Sequence, residues 1–182
     1  GNINVKDVYY IRCKCVNEDD PSNYVYSDSI PVTVSGIGDC DAYAKYIPNY
    51  TVRRSNRTYC LNRDFKIGSS DKGVTFLNSI RNTTLNCKGH NITGESEAGC
   101  WLIDLSYDKN ITITNCTLEA GEYGVVSFGG EFINIINNTF LRGFTESIFF
   151  SSDVTNITIR GNTISPIGSA AGIYIDGYNS TI

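Results

Sequence analysis

From Asn82 onward, hydrophobic and polar positions alternate in short bursts separated by Gly and Asn, and nowhere trace the arcs of a helix. NTTLNCKGHNITG begins at Asn82, NITITNCTLEAG at Asn110, INIINNTFLRG at Ile133 and NITIRGNTISPIG at Asn156; aligned on Asn86, Asn115, Asn137 and Gly161, the steps are 29, 22 and 24 residues. A second series interleaves with the first: GCWLID from Gly99, GVVSFG from Gly124, SIFFSS from Ser147 and GIYIDG from Gly172, in steps of 25, 23 and 25. Bursts of Ile, Val and Thr read as strands, and the Gly and Asn between them as turns. Two series sharing one period, with no helical stretch between them, require parallel strands stacked coil upon coil. The leucine-rich repeat has a similar length, but its L-x-x-L-x-L framework is absent and Leu is rare. In such a stack Leu85, Ile113, Ile135 and Ile159 form one strand column, and Cys87, Cys116, Asn138 and Asn162 the turn column after it. In-register Asn side chains can hydrogen-bond along the stack. Cys87 and Cys116, on adjacent rungs, are placed either to bridge or to stack as buried thiols.

Before the repeat, VYYIRCKCV, a polar break NEDDPSN and YVYSDSIPVTV predict two strands and a turn between Asp7 and Val34. An isolated hairpin is marginal in water. Residues 1–36 are therefore expected to pair with upstream sequence, to pack on the next domain, or to add to the open edge of another copy of this chain. The residues offered for that contact are Tyr9, Ile11, Cys13, Cys15, Ile30, Val32 and Val34. SGIGD at 35–39 reads as a linker, and 37–81 as an irregular cap or connector closed by a disulfide between Cys40 and Cys60, worth about 3 kcal/mol in the chain-entropy account. Residues 82–182 carry the coils. The first residue is not Met and the last residues break off inside a further strand, so the text reads as a processed product or a piece of something longer, its last coil continued or covered by another subunit.

With 41% hydrophobic and 19% charged residues, the 182-residue chain is too apolar for a disordered tail. It holds no apolar run long enough for a membrane span. A net charge of −4 without a Lys/Arg block argues against nucleic acid as a partner. There are 19 Asn and no Gln, and 22 Ile against 7 Leu and 6 Ala, a bias toward β-branched and turn-tolerant side chains. Seven cysteines show no C-x-x-C spacing, which removes zinc ribbons, thioredoxin motifs and covalent haem. Nine N-x-S/T sequons, at Asn49, Asn56, Asn82, Asn91, Asn110, Asn115, Asn137, Asn156 and Asn179, together with the cysteines, predict an extracellular or cell-surface protein carrying covalent N-glycans.

LNCKGHNITG, followed by NITITNCTL, INIINNTF and NITIRGNTI, resembles the right-handed parallel β-helix superfamily that includes the pectate lyases, and especially the copper-associated periplasmic and archaeal surface-repeat types. Leu85, Asn86, Cys87, Gly89, His90, Ile92 and Gly94 match the family's L-D-C-x-G-H-x-I-x-G opening, with Asn in place of Asp. The resemblance covers about the last hundred residues. It implies an all-β solenoid but no particular reaction, since one fold carries lyases, hydrolases, adhesins and stalks. It also makes an archaeal source the expectation. The segment before it resembles the last two strands of an immunoglobulin-like or fibronectin-like sandwich.

Candidate chemistry is thin. His90 is the only histidine, so a triad or a two-imidazole metal site has at most one candidate, and a structural role at its turn is expected. Copper needs Met, His or several Cys, and the chain has no Met. The acids Asp104, Asp108, Glu119, Glu122, Glu146, Asp153 and Asp176 read as a solvated face. Asp104 and Asp176, placed in one column, would lie about 14 Å apart, too far for an acid and nucleophile pair. Trp101, Phe128, Phe149, Phe150, Tyr174 and Tyr178 could form an outward sugar-stacking strip, but the expectation is that they fill the core. No catalytic set, metal or cofactor is assigned. The expected function is a secreted, glycosylated structural protein, its copies assembling through open β edges, with sugar binding or cleavage and an adhesin stalk as the alternatives.

Overall fold

The computed structural model describes residues 8–11, 14–17, 20–26, 30–33, 40–44, 49–95, 99–165 and 171–181, and for 8–33, 171, 178 and 179 it describes the backbone alone. The chain divides into two units, Gly1–Asp39 and Cys40–Ile182. In the first, β1 (Val8–Ile11) pairs antiparallel with β4 (Ile30–Thr33), and β2 (Lys14–Asn17) with β3 (Asp20–Tyr26). Ile11 stands opposite Ile30 and Lys14 opposite Tyr26, so the two expected arms pair antiparallel in two ladders whose registers differ by one residue. Tyr9 and Ile11 lie on β1, Cys15 on β2, and Ile30 and Val32 on β4. Cys13 and Val34 fall outside the described residues.

The second unit is a parallel solenoid. A partial turn, β5 (Ala42–Tyr43) and β6 (Tyr50–Val52), precedes a coil of β7 (Thr58–Cys60), β8 (Phe65–Ile67) and β9 (Lys72–Phe76). The next coils are β10 (Arg81–Asn86), β11 (Asn91–Gly94) and β12 (Trp101–Asp104), then β13 (Asp108–Thr114), β14 (Thr117–Glu119) and β15 (Gly121–Ser127). They are followed by β16 (Gly130–Ile136), β17 (Thr139–Phe140) and β18 (Phe144–Phe150), then β19 (Val154–Arg160), β20 (Thr163–Ile164) and β21 (Ala171–Ile175), and last β22 (Tyr178–Thr181). The strands form three sheets: the first in the order β22-β19-β16-β13-β10-β7-β5, the second β20-β17-β14-β11-β8, the third β21-β18-β15-β12-β9-β6.

The strands of 42–76 already belong to these sheets, within the stretch expected to be a cap or connector. The repeat is illegible there because RRSNR and NRD break the rhythm at the corners, although Tyr59, Phe65 and Val74 face inward as their counterparts do in later coils. Cys40 is bonded to Cys60 as expected, tying the partial turn to the coil above it.

The core is built from in-register columns. Leu85, Ile113 and Ile135 are fully buried and stack with Ile159, as the sequence columns require. Phe65, Ile92, Leu118 and Phe140 fill the second sheet's side, and Val74, Ile103, Val125 and Ile148 the third's. Removing these aliphatic columns from water is the main force holding coil to coil. In the turn column, Cys87 and Cys116 form a disulfide. Beyond it, Asn138 Oδ1 accepts from Cys116 N at 3.0 Å, and Asn138 Nδ2 donates to Ile113 O at 3.0 Å and to Asn162 Oδ1 at 3.1 Å. A covalent bridge therefore continues as an amide ladder down one corner. Cys100 is free and buried.

Candidate functional site

The third sheet turns one set of side chains outward, and there the coils set aromatic and charged residues in register. Lys72, Trp101, Tyr123 and Glu146 follow one another on β9, β12, β15 and β18. Three residues along, Thr75, Asp104, Val126, Phe149 and Tyr174 make a second column. Phe128, just past β15, lies 5.5 Å from Trp101 and 5.7 Å from Phe149 between ring centroids. Trp101 meets Tyr123 at 5.8 Å, Tyr123 meets Phe149 at 5.1 Å, and Phe149 stacks on Tyr174 at 5.2 Å with the planes 7° apart. Val126, in the same column as Phe149 and Tyr174, is fully buried yet stands apart from the core cluster. The result is one strip of five aromatic side chains across four coils, with Trp101, Tyr123, Phe128 and Phe149 half-buried and Tyr174 exposed.

Acidic groups edge the strip. Glu122 Oε2 accepts from Gly99 N at 3.0 Å and from Trp101 Nε1 at 3.1 Å, which fixes the indole. Lys72 Nζ sits 4.0 Å from the Trp101 ring centroid and 2.7 Å from Asp104 Oδ2, and Asp104 Oδ1 accepts from Ser106. Burial and then the charge of Glu122 raise the Glu146 carboxyl above its ordinary range, and Glu146 Oε2 has no hydrogen-bond partner. The Tyr123 hydroxyl is likewise pushed up, first by burial and then by Glu122 and Glu146.

This strip corrects the expectation that the aromatics fill the core. Phe150 does point inward and is fully buried, but Trp101, Phe128, Phe149 and Tyr174 lie outside. Nothing is described of the Tyr178 side chain. The sequence spacing sets Gly99 against Gly124 and so leaves Tyr123 out of the aromatic series, whereas the register places Trp101 beside Tyr123 and hence Gly99 beside Gly121. Runs such as GVVS and SIFF are apolar on both faces and carry no alternation from which to take the phase. The same slip put Asp104 and Asp176 in one column. In the fold Asp104 aligns with Val126, Phe149 and Tyr174, and Asp176 comes two residues after Tyr174.

The other acids are dispersed: Glu119 meets Arg142 Nε at 3.3 Å, Asp108 is buried inside the solenoid, and Asp153 and Asp176 are exposed. His90 Nδ1 lies 3.1 Å from Asp64 Oδ1, which also accepts from Asn91 N at 2.9 Å, so the imidazole holds its turn to the coil before it. Those two bonds keep the Asp64 carboxyl below its ordinary range, the backbone bond contributing most. Among the described residues no three His, Cys, Asp or Glu side chains group as metal ligands.

Seven of the nine sequons fall at left-handed corners of the coils. Asn49, Asn56, Asn82, Asn110, Asn115, Asn137 and Asn156 all take positive φ, the left-handed conformation that Asn tolerates best after Gly. Asn82 Nδ2 donates to Asn56 Oδ1 at 2.9 Å, and Asn110 Nδ2 to Asn82 Oδ1 at 2.8 Å. Phe132 takes this corner on the next coil with φ 58, half exposed, and interrupts the ladder. At the other corner Asn115 Nδ2 donates to Asn86 Oδ1 at 3.1 Å, and Gly161, φ 66, leaves room for Asn137 Oδ1 where a Cβ would collide. Asn91 sits half-buried on β11, and the Asn179 side chain is not described.

No curated protein and no solved structure matches this chain. A family model described as the right handed beta helix region matches residues 23–164. With parallel strands stacked into three sheets and that match over most of its length, the chain belongs to the right-handed β-helix family.

Proposed function

We propose that this chain is a carbohydrate-binding solenoid of an extracellular or cell-surface protein, with the outward aromatic strip of the third sheet as its sugar platform. The observation that carries this reading is the continuity of the strip: Trp101, Tyr123, Phe128, Phe149 and Tyr174 over four successive coils. The C–H faces of pyranose rings stack on aromatic side chains, while carboxylates beside them accept hydroxyl protons. A polysaccharide lying along the solenoid axis would meet both at every rung. The two disulfides suit an oxidising compartment. Affinity electrophoresis through gels containing soluble polysaccharides tests the reading. Retardation by at least one polymer is expected, weakened about tenfold by Trp101→Ala or Phe149→Ala. Migration unchanged by every polymer sinks it.

A second reading, a filament of copies of this chain bearing N-glycans, is favoured by the N-terminal unit, whose two ladders have two strands each, a kind marginal alone. There the strands of 8–33 would add to a neighbour's sheet edge. Electron microscopy of the purified protein with and without residues 1–36 tests it, since ordered fibres should form only with them. Peptide mass spectrometry tests the glycans, and all nine sequons unmodified would remove that part.

A further inference from the structure

We propose that the strip selects a sugar polymer bearing free amino groups, an inference that rests on the carbohydrate reading above. The chain already seats one amine on this face. Lys72 Nζ lies 4.0 Å from the centroid of the Trp101 ring and 2.7 Å from Asp104 Oδ2, an ammonium held between an aromatic face and a carboxylate. Farther along the column of Lys72 and Trp101, Tyr123 supplies an aromatic ring and Glu146, beside it on the next coil, a carboxylate, while the neighbouring Glu122 is occupied by Gly99 N and Trp101 Nε1. Among the described residues no ammonium answers Glu146. Glu146 Oε2 lacks a hydrogen-bond partner, and what bears on its ionisation is burial and the like charge of Glu122. A ligand ammonium at this place would relieve that repulsion, pair with the half-buried Glu146 carboxylate from its outer side and lie against the Tyr123 ring, as Lys72 lies against Trp101.

The charges along the strip point the same way. Lys72 is its one described base, already engaged by Asp104, while Glu122, Glu146 and, past Tyr174, Asp176 are acids. A uronate polymer would bring carboxylates against carboxylates. A neutral polymer would gain the stacking alone, and an amino-sugar polymer gains stacking and charge pairing together.

The test titrates the full chain calorimetrically with hexamers of glucosamine, of N-acetylglucosamine and of galacturonate, at a pH where the sugar amines are protonated. The glucosamine hexamer should bind about tenfold more tightly than the acetylated one, and the galacturonate hexamer not at all. Glu146→Gln should bring the ratio of the first two close to one. Phe149→Ala should weaken the glucosamine hexamer as well, which a general attraction of a polycation to an acidic protein would not require. Equal affinities for the amino and acetylated hexamers, both lost in Trp101→Ala, would overturn the amine preference and leave the sugar reading standing. Binding untouched by Phe149→Ala would overturn the proposal as nonspecific electrostatics. Failure of these hexamers and of every gel polysaccharide would overturn the sugar reading itself.

Discussion

At Asp108 a carboxylate faces the interior, in the position that Gly130 and Val154 take on the next coils. It is fully buried; Oδ1 accepts from Ile80 N at 2.8 Å, and Oδ2 has no partner. Burial is the largest influence on it and pushes its pKa from 3.8 up to about 7, with the charge of Asp104 adding to the rise. The folded chain therefore keeps a proton that the unfolded chain has already released, and folding is favoured while that proton is available. Stability tied to this group is greatest below about pH 4, declines as pH rises to about 7 and is level above that. The whole decline amounts to at most about 4 kcal/mol. In Asp108→Asn the acceptor for Ile80 N remains and the ionisation is gone. Urea denaturation across this range should show the variant gaining on the native protein as pH rises and overtaking it near neutrality. Two curves running parallel from acid to neutral pH would mean that Asp108 is not held neutral in the fold.

The left-handed asparagines, taken with the two residues that follow each of them, account for seven of the nine sequons without reference to any glycan. Each such run needs a left-handed residue at the corner, then an inward side chain, then an outward one. Asn110, Ile111 and Thr112 fill these places on β13, and Asn156, Ile157 and Thr158 do so on β19. Asn is the non-glycine residue best suited to the first place, and a β-branched Thr suits the outward strand position, so N-x-T is what the fold writes at its corners. Sequon density therefore says little about compartment, and the element and the modification can be separated experimentally. Asn110→Ala and Thr112→Val destroy the same sequon, but the first also removes a left-handed Asn and its bond to Asn82. Asn110→Ala should cost about 1–2 kcal/mol, and Thr112→Val, which keeps β-branching on the half-exposed face, no more than about 0.5 kcal/mol. Chemical denaturation of both, expressed in a host that attaches N-glycans, decides between the roles. Equal losses would give the sequon a function through its glycan that the ladder does not supply.

Across the whole molecule, legibility followed repetition. Leu85, Ile113, Ile135 and Ile159 could be stacked from the text because strict alternation with Thr and Asn fixes their phase, and the same rhythm aligned Cys87 with Cys116. The third sheet could not be phased, because Val125 and Val126, or Phe149 and Phe150, are equally apolar while only one of each pair faces the core; the candidate site lies on that ambiguous sheet. The coils of 42–76 were missed for a related reason, their corners being charged and irregular while the inward residues keep the pattern. In a solenoid each coil is stabilised by its neighbours alone, so stability is close to a sum over coils and their interfaces. The hydrophobic cluster runs from Ala44 to Ile159, both disulfides lie between Cys40 and Cys116, and the three parallel sheets draw every strand from the second unit. Residues 40–182 should therefore fold without 1–39. Thermal unfolding of the shortened chain followed by circular dichroism should keep the midpoint of the full chain within about 2 °C, since no term in the coil sum has been removed. A fall of about 10 °C or more would instead assign the N-terminal strands to covering the first coil, making them part of the solenoid's stability and not a separate unit.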